Sequence, residues 1–384
     1  FFLFIMKKNI LFSLILSCLI ALPAAAQIFG EGFYRIQNVG TKRYIGIVDN
    51  VSYTQTNAGN PELGALLSYG DLDYVRSTPS TIVYINDITP DGAGYSCNIW
   101  AQGTSVYALA GMKINVAPSK SVANSYRCYG SYKGNIIYLS DENDTYDPGM
   151  IMSTQKVNLD WYVVPISSGT DNYTTVKPSV SAGGKNYANY FSGFGSKAVS
   201  EGVKFYYICS IEGGKALYKE ITGTVPHTTP IIVECPSTNI ADNKIEPVFT
   251  YDSNYSDNLL DGVFYHIKKG KHNNLVAYDA NTMRVLGVCS DGSVGFVTKS
   301  AADFDKGALP ANSCYLKVPA GSPAELPLMS YETYVSGVKG VQVEDNKVDD
   351  ITTLSGVTVR KNATSTAGLR PGVYIWNKKK IVVK

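Results

Sequence analysis

The chain has 384 residues, with 34 basic and 32 acidic side chains and three histidines. The two excess positive charges, Lys7 and Lys8, sit in an apolar leader; beyond it the balance is 32 against 32. A balanced chain has no general attraction for nucleic acid or an anionic membrane, so neither is expected as a partner.

The leader "MKKNILFSLILSCLIALPAAAQ" reads as a secretory signal peptide within residues 1–26, with Met6 as the expected start. Lys7 and Lys8 form its basic end, and Ile10 to Leu22 its apolar run. Ala24, Ala25 and Ala26 form a small-residue cleavage site before Gln27. The apolar run is shorter than the roughly 20 residues a spanning helix needs, so no integral membrane span is expected. A lipidated Cys18 stands as the second reading. Six cysteines follow the leader, from Cys97 to Cys314, none spaced as a C-x-x-C pair. They read as small buried thiols, with one or two disulfides as the alternative.

Beyond the leader the chain is rich in tyrosine and glycine, at 28 and 35 residues, and poor in helical periodicity. Short runs recur between turn residues, among them "FYRIQNV", "STIVYINDI", "NIIYLS", "WYVVPI", "VKFYYICSI", "TPIIVEC", "CYLKVPA" and "KIVVK". Each carries β-branched or aromatic side chains and is bounded by Gly, Pro, Asn or Asp. The expected fold class is all-β, in two or three domains. "AADFDKGAL" alone suggests a helical turn or two.

Three Gly-x-x-x-Tyr segments begin at Gly40, Gly103 and Gly134 and end at Tyr44, Tyr107 and Tyr138. Each reads as a hairpin after a strand. "GFYRIQNVGTKRYIGI" with the later "DWYVVPI" resembles the ricin-type β-trefoil lectin fold, over 28–167, without that family's Gln-x-Trp motif. The resemblance implies three repeated hairpin lobes and a carbohydrate ligand. After a polar bridge, "SSGTDNYTTVKPS", residues 176–332 carry Pro-anchored turns into strands at "VPHTTPIIV" and "LPANSCYLKVP". They resemble a β-rich module of secreted and surface proteins of Bacteroidota, expected to be β-sandwich-like. Finally, 338–384 offer a β-hairpin at "VYIWNKKKIVVK". "TLSGVTVRK…GLRPGVYIWNKKKIVVK" resembles the sorting domain of type IX secretion substrates, which implies secretion machinery as a partner. The expected location is extracellular or on the outer cell surface, or periplasmic if the tail is inactive.

No catalytic residues emerge. His266 and His272 match no metal spacing, and His227 beside Cys235 is mere proximity. "SDENDTYDPG" lacks the glycine and closing glutamate of a calcium loop, so Asp141 to Asp147 read as a solvated hairpin loop. Gly193 and Gly195 precede no helix and make no phosphate cradle. No cofactor or metal is expected, and the protein is read as a non-enzyme. The positive signal is aromatic, because sugar rings stack on flat faces beside polar side chains. The candidate glycan-binding residues are Tyr44, Asp49, Asn50, Trp100, Tyr107 and Tyr138; strand core is the alternative for each aromatic. The expected function is glycan binding by the first domain. The alternatives are a structural or adhesion protein of the envelope and, behind it, a polysaccharide-acting enzyme.

Overall fold

The computed structural model describes residues 30–46, 66–68, 72–103, 112–141, 152–154, 156–250, 255–264, 276–339, 349–376 and 379–383. The leader lies outside them. The chain is all-β, and none of its described helices is long and apolar enough to cross a membrane.

The first unit carries β1 (Gly32–Asn38), β2 (Tyr44–Gly46), β3 (Leu66–Ser68), helix α1 (Leu72–Ser77), β4 (Val83–Asp91) and β5 (Gly94–Ala101). It continues through β6 (Ile114–Pro118), β7 (Tyr126–Tyr132), β8 (Asn135–Leu139), β9 (Met152–Ser153) and β10 (Trp161–Pro165). Antiparallel pairing runs β1–β4–β5–β6–β7–β10 and returns from β10 to β1, which closes a six-stranded ring. The pairs β2–β3 and β8–β9 hang from it as hairpins. Period-two alternation fills the ring: Ile36, Ile85, Ile99, Ile114, Cys128 and Trp161 pack together inside. Trp161 is fully buried, and its indole N–H donates to the Leu139 carbonyl at 3.0 Å.

Gly40, Gly103 and Gly134 each follow an alternate member of the ring, β1, β5 and β7. Their turns differ. Lys133 and Gly134 both have positive φ, the two-residue hairpin geometry that favours glycine at its second position. Gly94 serves closeness instead: a Cβ there would lie 2.3 Å from the Val116 carbonyl oxygen of the neighbouring strand.

The second unit holds β11 (Thr174–Thr175), β12 (Val180–Ala182), β13 (Lys185–Tyr190), β14 (Gly195–Ala198), β15 (Lys204–Glu212), β16 (Lys215–Ile221) and β17 (Thr224–Val225). It is completed by β18 (Ile231–Cys235), β19 (Lys244–Val248), β20 (Leu260–Val263), β21 (Met283–Val288), β22 (Val294–Val297), β23 (Ser313–Lys317) and β24 (Glu325–Ser330). A small sheet, β11-β19-β14-β17, covers one face of a long curled sheet, β12-β13-β18-β15-β16-β24-β22-β21-β23-β20. Phe205, Tyr207, Ile231 and Val233 pack toward the small sheet. Tyr206, Ile208 and Ile232, on the other face of the same strands, pack against Leu286, Phe296, Leu316 and Leu326. The expected two-layer sandwich is therefore three layers deep around β15 and β18. Burial on both faces explains why "KFYYICSI" and "PIIVEC" are apolar without alternation.

Within the polar stretch 168–179, Tyr173, Thr174, Thr175 and Val176 are buried, and β11 pairs with β19. The two units also share a core, since Ile82 and Phe33 of the ring pack among the second unit's apolar side chains. Helix α2 (Tyr331–Lys339) then leads toward the tail. There the expected hairpin, β27 (Gly372–Trp376) with β28 (Lys379–Val383), is half of a four-stranded sheet. Its other strands are β25 (Asp349–Thr353) and β26 (Thr358–Ala363), and its core is Ile351, Ala363, Trp376 and Ile381. Two 3-10 turns, Ala301–Asp303 and Asp305–Gly307, stand where "AADFDKGAL" suggested helical turns.

Candidate functional site

Asp49, Asn50 and Tyr107 fall outside the described residues, as do His266 and His272. Tyr44, Trp100 and Tyr138 lie on β2, β5 and β8, strands that do not pair with one another. No strand pairing sets any two of them side by side.

Tyr44 is half-buried opposite Gln37 and Ser68, and burial pushes its phenol pKa up against the opposing pull of Arg35 and Arg76. It reads as hairpin packing. Tyr138 faces Tyr129 across the β7–β8 pair at 6.1 Å between ring centres, with the Lys156 ammonium 5.4 Å from its own ring. That contact is a cation–π pair on one face of the ring.

Trp100 is different. In "GYSCNIWA" the side chains of Cys97, Ile99 and Ala101 turn inward, so Asn98 and Trp100 face outward. The register of β4 on β5 sets Tyr84 opposite Trp100 and Asn86 opposite Asn98. Four outward side chains thus form an aromatic-and-carboxamide wall. The indole N–H of Trp100 donates to Asn86 Oδ1 at 2.7 Å, which fixes the ring plane. A register shift after Asn86 places Asp87 in the left-handed region, at φ 53°, and turns its carboxylate to the rim. There it meets Lys113 at 2.6 Å and accepts from Asn98 Nδ2 at 3.4 Å. From the second unit, Phe249 stacks on Tyr84 with centres 4.8 Å apart and planes at 20°, while 43 % of its surface stays exposed.

Trp100 was legible in the sequence; its companions Tyr84, Asn86, Asp87 and Asn98 were not singled out. Alternation in "IVYIND" and "CNIWA" about a turn at Asp91–Gly94 would have placed them together.

Several acidic residues outside this wall are engaged in structure. Asp141, expected in a solvated loop, is fully buried: it pairs with Arg43, whose Nε lies 2.8 Å from Oδ2, and accepts from the Thr41 hydroxyl. It is therefore no calcium ligand. Glu234 accepts from the Tyr187 and Tyr206 hydroxyls at 3.3 and 3.1 Å and meets Lys185 at 3.1 Å. Burial, then the Glu234 charge, pushes both phenols well above the ordinary tyrosine range, which keeps them donors. Asp257 pairs with Lys219 at 2.9 Å. The six described cysteines are unpaired, and all but Cys209 are buried. Among the described residues, no group of three His, Cys, Asp or Glu side chains is placed to hold a metal. No protein-family model matches the chain, and no curated protein matches it.

Proposed function

We propose that this is an exported, non-catalytic glycan-binding protein that uses the outer wall of the six-stranded ring. The observation that carries the reading is the Trp100 face, held by Asn86 and flanked by Asn98 and Asp87. A half-exposed indole held in a fixed plane offers apolar surface to the C–H face of a sugar, and the Asn86 amide N–H and the half-exposed Asp87 carboxylate offer partners to its hydroxyls. The six-stranded closed ring with pendant hairpins supports a β-trefoil reading of the domain. Trp100→Ala is expected to weaken binding of the best neutral ligand on a glycan array by tenfold or more. That loss matches about 1.4 kcal/mol or more, well within what burying one large aromatic contributes. Strong array binding unchanged by the substitution would remove the wall from the site. Failure of every glycan would favour the adhesion reading.

Export is proposed from the leader and the tail. The tail sheet has its own small core, Ile351, Ala363, Trp376 and Ile381. Deleting 349–384 is expected to leave the melting transition of the remaining units within a few degrees while the protein accumulates in the periplasm. Fractionation and thermal melts read the two effects separately. Unchanged release into the medium would show that the tail is not an address.

A further inference from the structure

Between the units runs an open cleft of about 730 Å³. The ring contributes one wall through Tyr74, Ser77 and Thr78 at helix α1, and the second unit contributes the rest. Its apolar lining includes Val285, Leu286 and Leu309, all nearly buried. Asn189 and Asn312 add amides, and Lys177 and Lys299 add two ammonium groups. A smaller recess of about 170 Å³ shares Tyr74, Lys177, Asn189 and Asn312, so the two are continuous. The recess is also lined by Tyr190, which is 5 % exposed.

The charges in this cleft are uneven. Neither Lys177 nor Lys299 forms an ion pair with a described residue, and both are exposed. The acid at the rim, Asp303, accepts from the Ser300 backbone N–H at 2.9 Å in a capping box. Asn312 is held at φ 55°, with its Nδ2 donating to Gln102 Oε1 and the Phe191 carbonyl, so its own side-chain oxygen is left for another donor. The wall from α1 is fixed as well. Arg35 donates to the Arg76 carbonyl at the end of α1, and the Arg76 guanidinium lies 4.6 Å from the centre of the Tyr173 ring.

We propose that this cleft binds an anionic saccharide, a short glycan bearing carboxylate or sulfate, at a site separate from the Trp100 wall. A volume of this order is that of a small-molecule site, about 300–1,000 Å³. A fatty acid would leave the amides and hydroxyls unpaired, and a bare inorganic anion would leave the apolar lining uncovered. An acidic sugar meets all three needs. Its anion reaches the lysines, its hydroxyls exchange hydrogen bonds with Asn189, Asn312 and Ser77, and its C–H face covers the Val285–Leu286 surface.

The test is isothermal titration of the full chain with tetragalacturonate, a heparin tetrasaccharide, cellotetraose and a hexaglutamate peptide. Saturable binding is expected for at least one acidic saccharide, and whichever binds names the anion. The double variant Lys177→Gln/Lys299→Gln should bind it at least tenfold more weakly, with an unchanged melting temperature because both side chains are exposed. Trp100→Ala should bind it as the wild type does, which separates this site from the wall. The proposal is overturned if neither acidic saccharide binds, if the double variant binds equally well, or if cellotetraose binds as tightly. Hexaglutamate binding as tightly would make the cleft an acidic-peptide site and overturn it too.

Discussion

Replacing Asp141 by alanine is expected to cost the ring about 3–5 kcal/mol, enough to unfold it partly at room temperature. Arg43 and Asp141 are 1 % and 0 % exposed. Removing the acid strands a guanidinium where water cannot reach it, and a charge left uncompensated in such surroundings is far costlier than the intact pair is stabilising. The pair also anchors a wider network. Asn158 Nδ2 donates to the Asp141 carbonyl at 2.8 Å, and Asn38 Nδ2 donates to the Asn158 carbonyl at 2.6 Å. These bonds tie the β1–β2 turn to the segments flanking the β8–β9 hairpin. Urea titration followed by tryptophan fluorescence measures the loss, since Trp161 lies in the same core. The double variant Arg43→Met/Asp141→Leu should recover most of it, because an apolar pair leaves no buried charge. A double variant as unstable as the single one would mean that Asp141 acts through its bond to Thr41.

Arg35→Met should uncouple the two units. Arg35 is 1 % exposed and meets no carboxylate among the described residues; it donates to five neutral acceptors. The best are Asn172 Oδ1 and the Tyr173 carbonyl, each at 2.9 Å, both beyond the last strand of the ring. Burial pulls its pKa down to about 10, still high enough to keep it charged at neutral pH. Methionine fits the volume but leaves these acceptors without donors, at about 1–3 kcal/mol for each one that stays dry. The penalty falls where the chain passes between the units. Limited proteolysis should then cut within 173–176, which are buried in the wild type, and calorimetry should resolve two transitions in place of one. Arg35→Lys, which keeps the charge but cannot span the acceptors, should lie between. Wild-type protease resistance in Arg35→Met would show that the shared Phe33 and Ile82 packing suffices.

The strands were legible because their chemistry is local. β15 and β18 announce themselves through β-branched and aromatic runs, and even their burial on both faces leaves a trace in the missing alternation. The arginines of "YRIQNVGTKRY" were not legible. In sequence they look like solvated charges beside a hairpin, yet their partners lie as far away as Asp141 and Thr174. Burial of a charge depends on what another part of the chain brings to it. The same holds for the wall, where Trp100 stands out as a rare residue but Asn86 gains meaning only from the register of β4 on β5. The inter-unit cleft has no signature in either unit alone, because its walls are assembled from both.

The ring closes on a strand made last. β10 pairs with β1 through Tyr34 to Asn38, and Ile166 N–H donates to the Phe33 carbonyl at 2.9 Å. A chain that emerges from its N-terminus therefore presents β1 with one edge unsatisfied until residue 165 emerges. The edge is apolar in part and open to mispairing throughout that interval. Such long-range closure is slow compared with hairpin formation. Five of the six thiols that stay unpaired in the finished molecule are walled off only once their cores have assembled. In oxidising surroundings, closure of the ring would compete with thiol chemistry, and a chaperone that covers β1 until β10 arrives would favour closure.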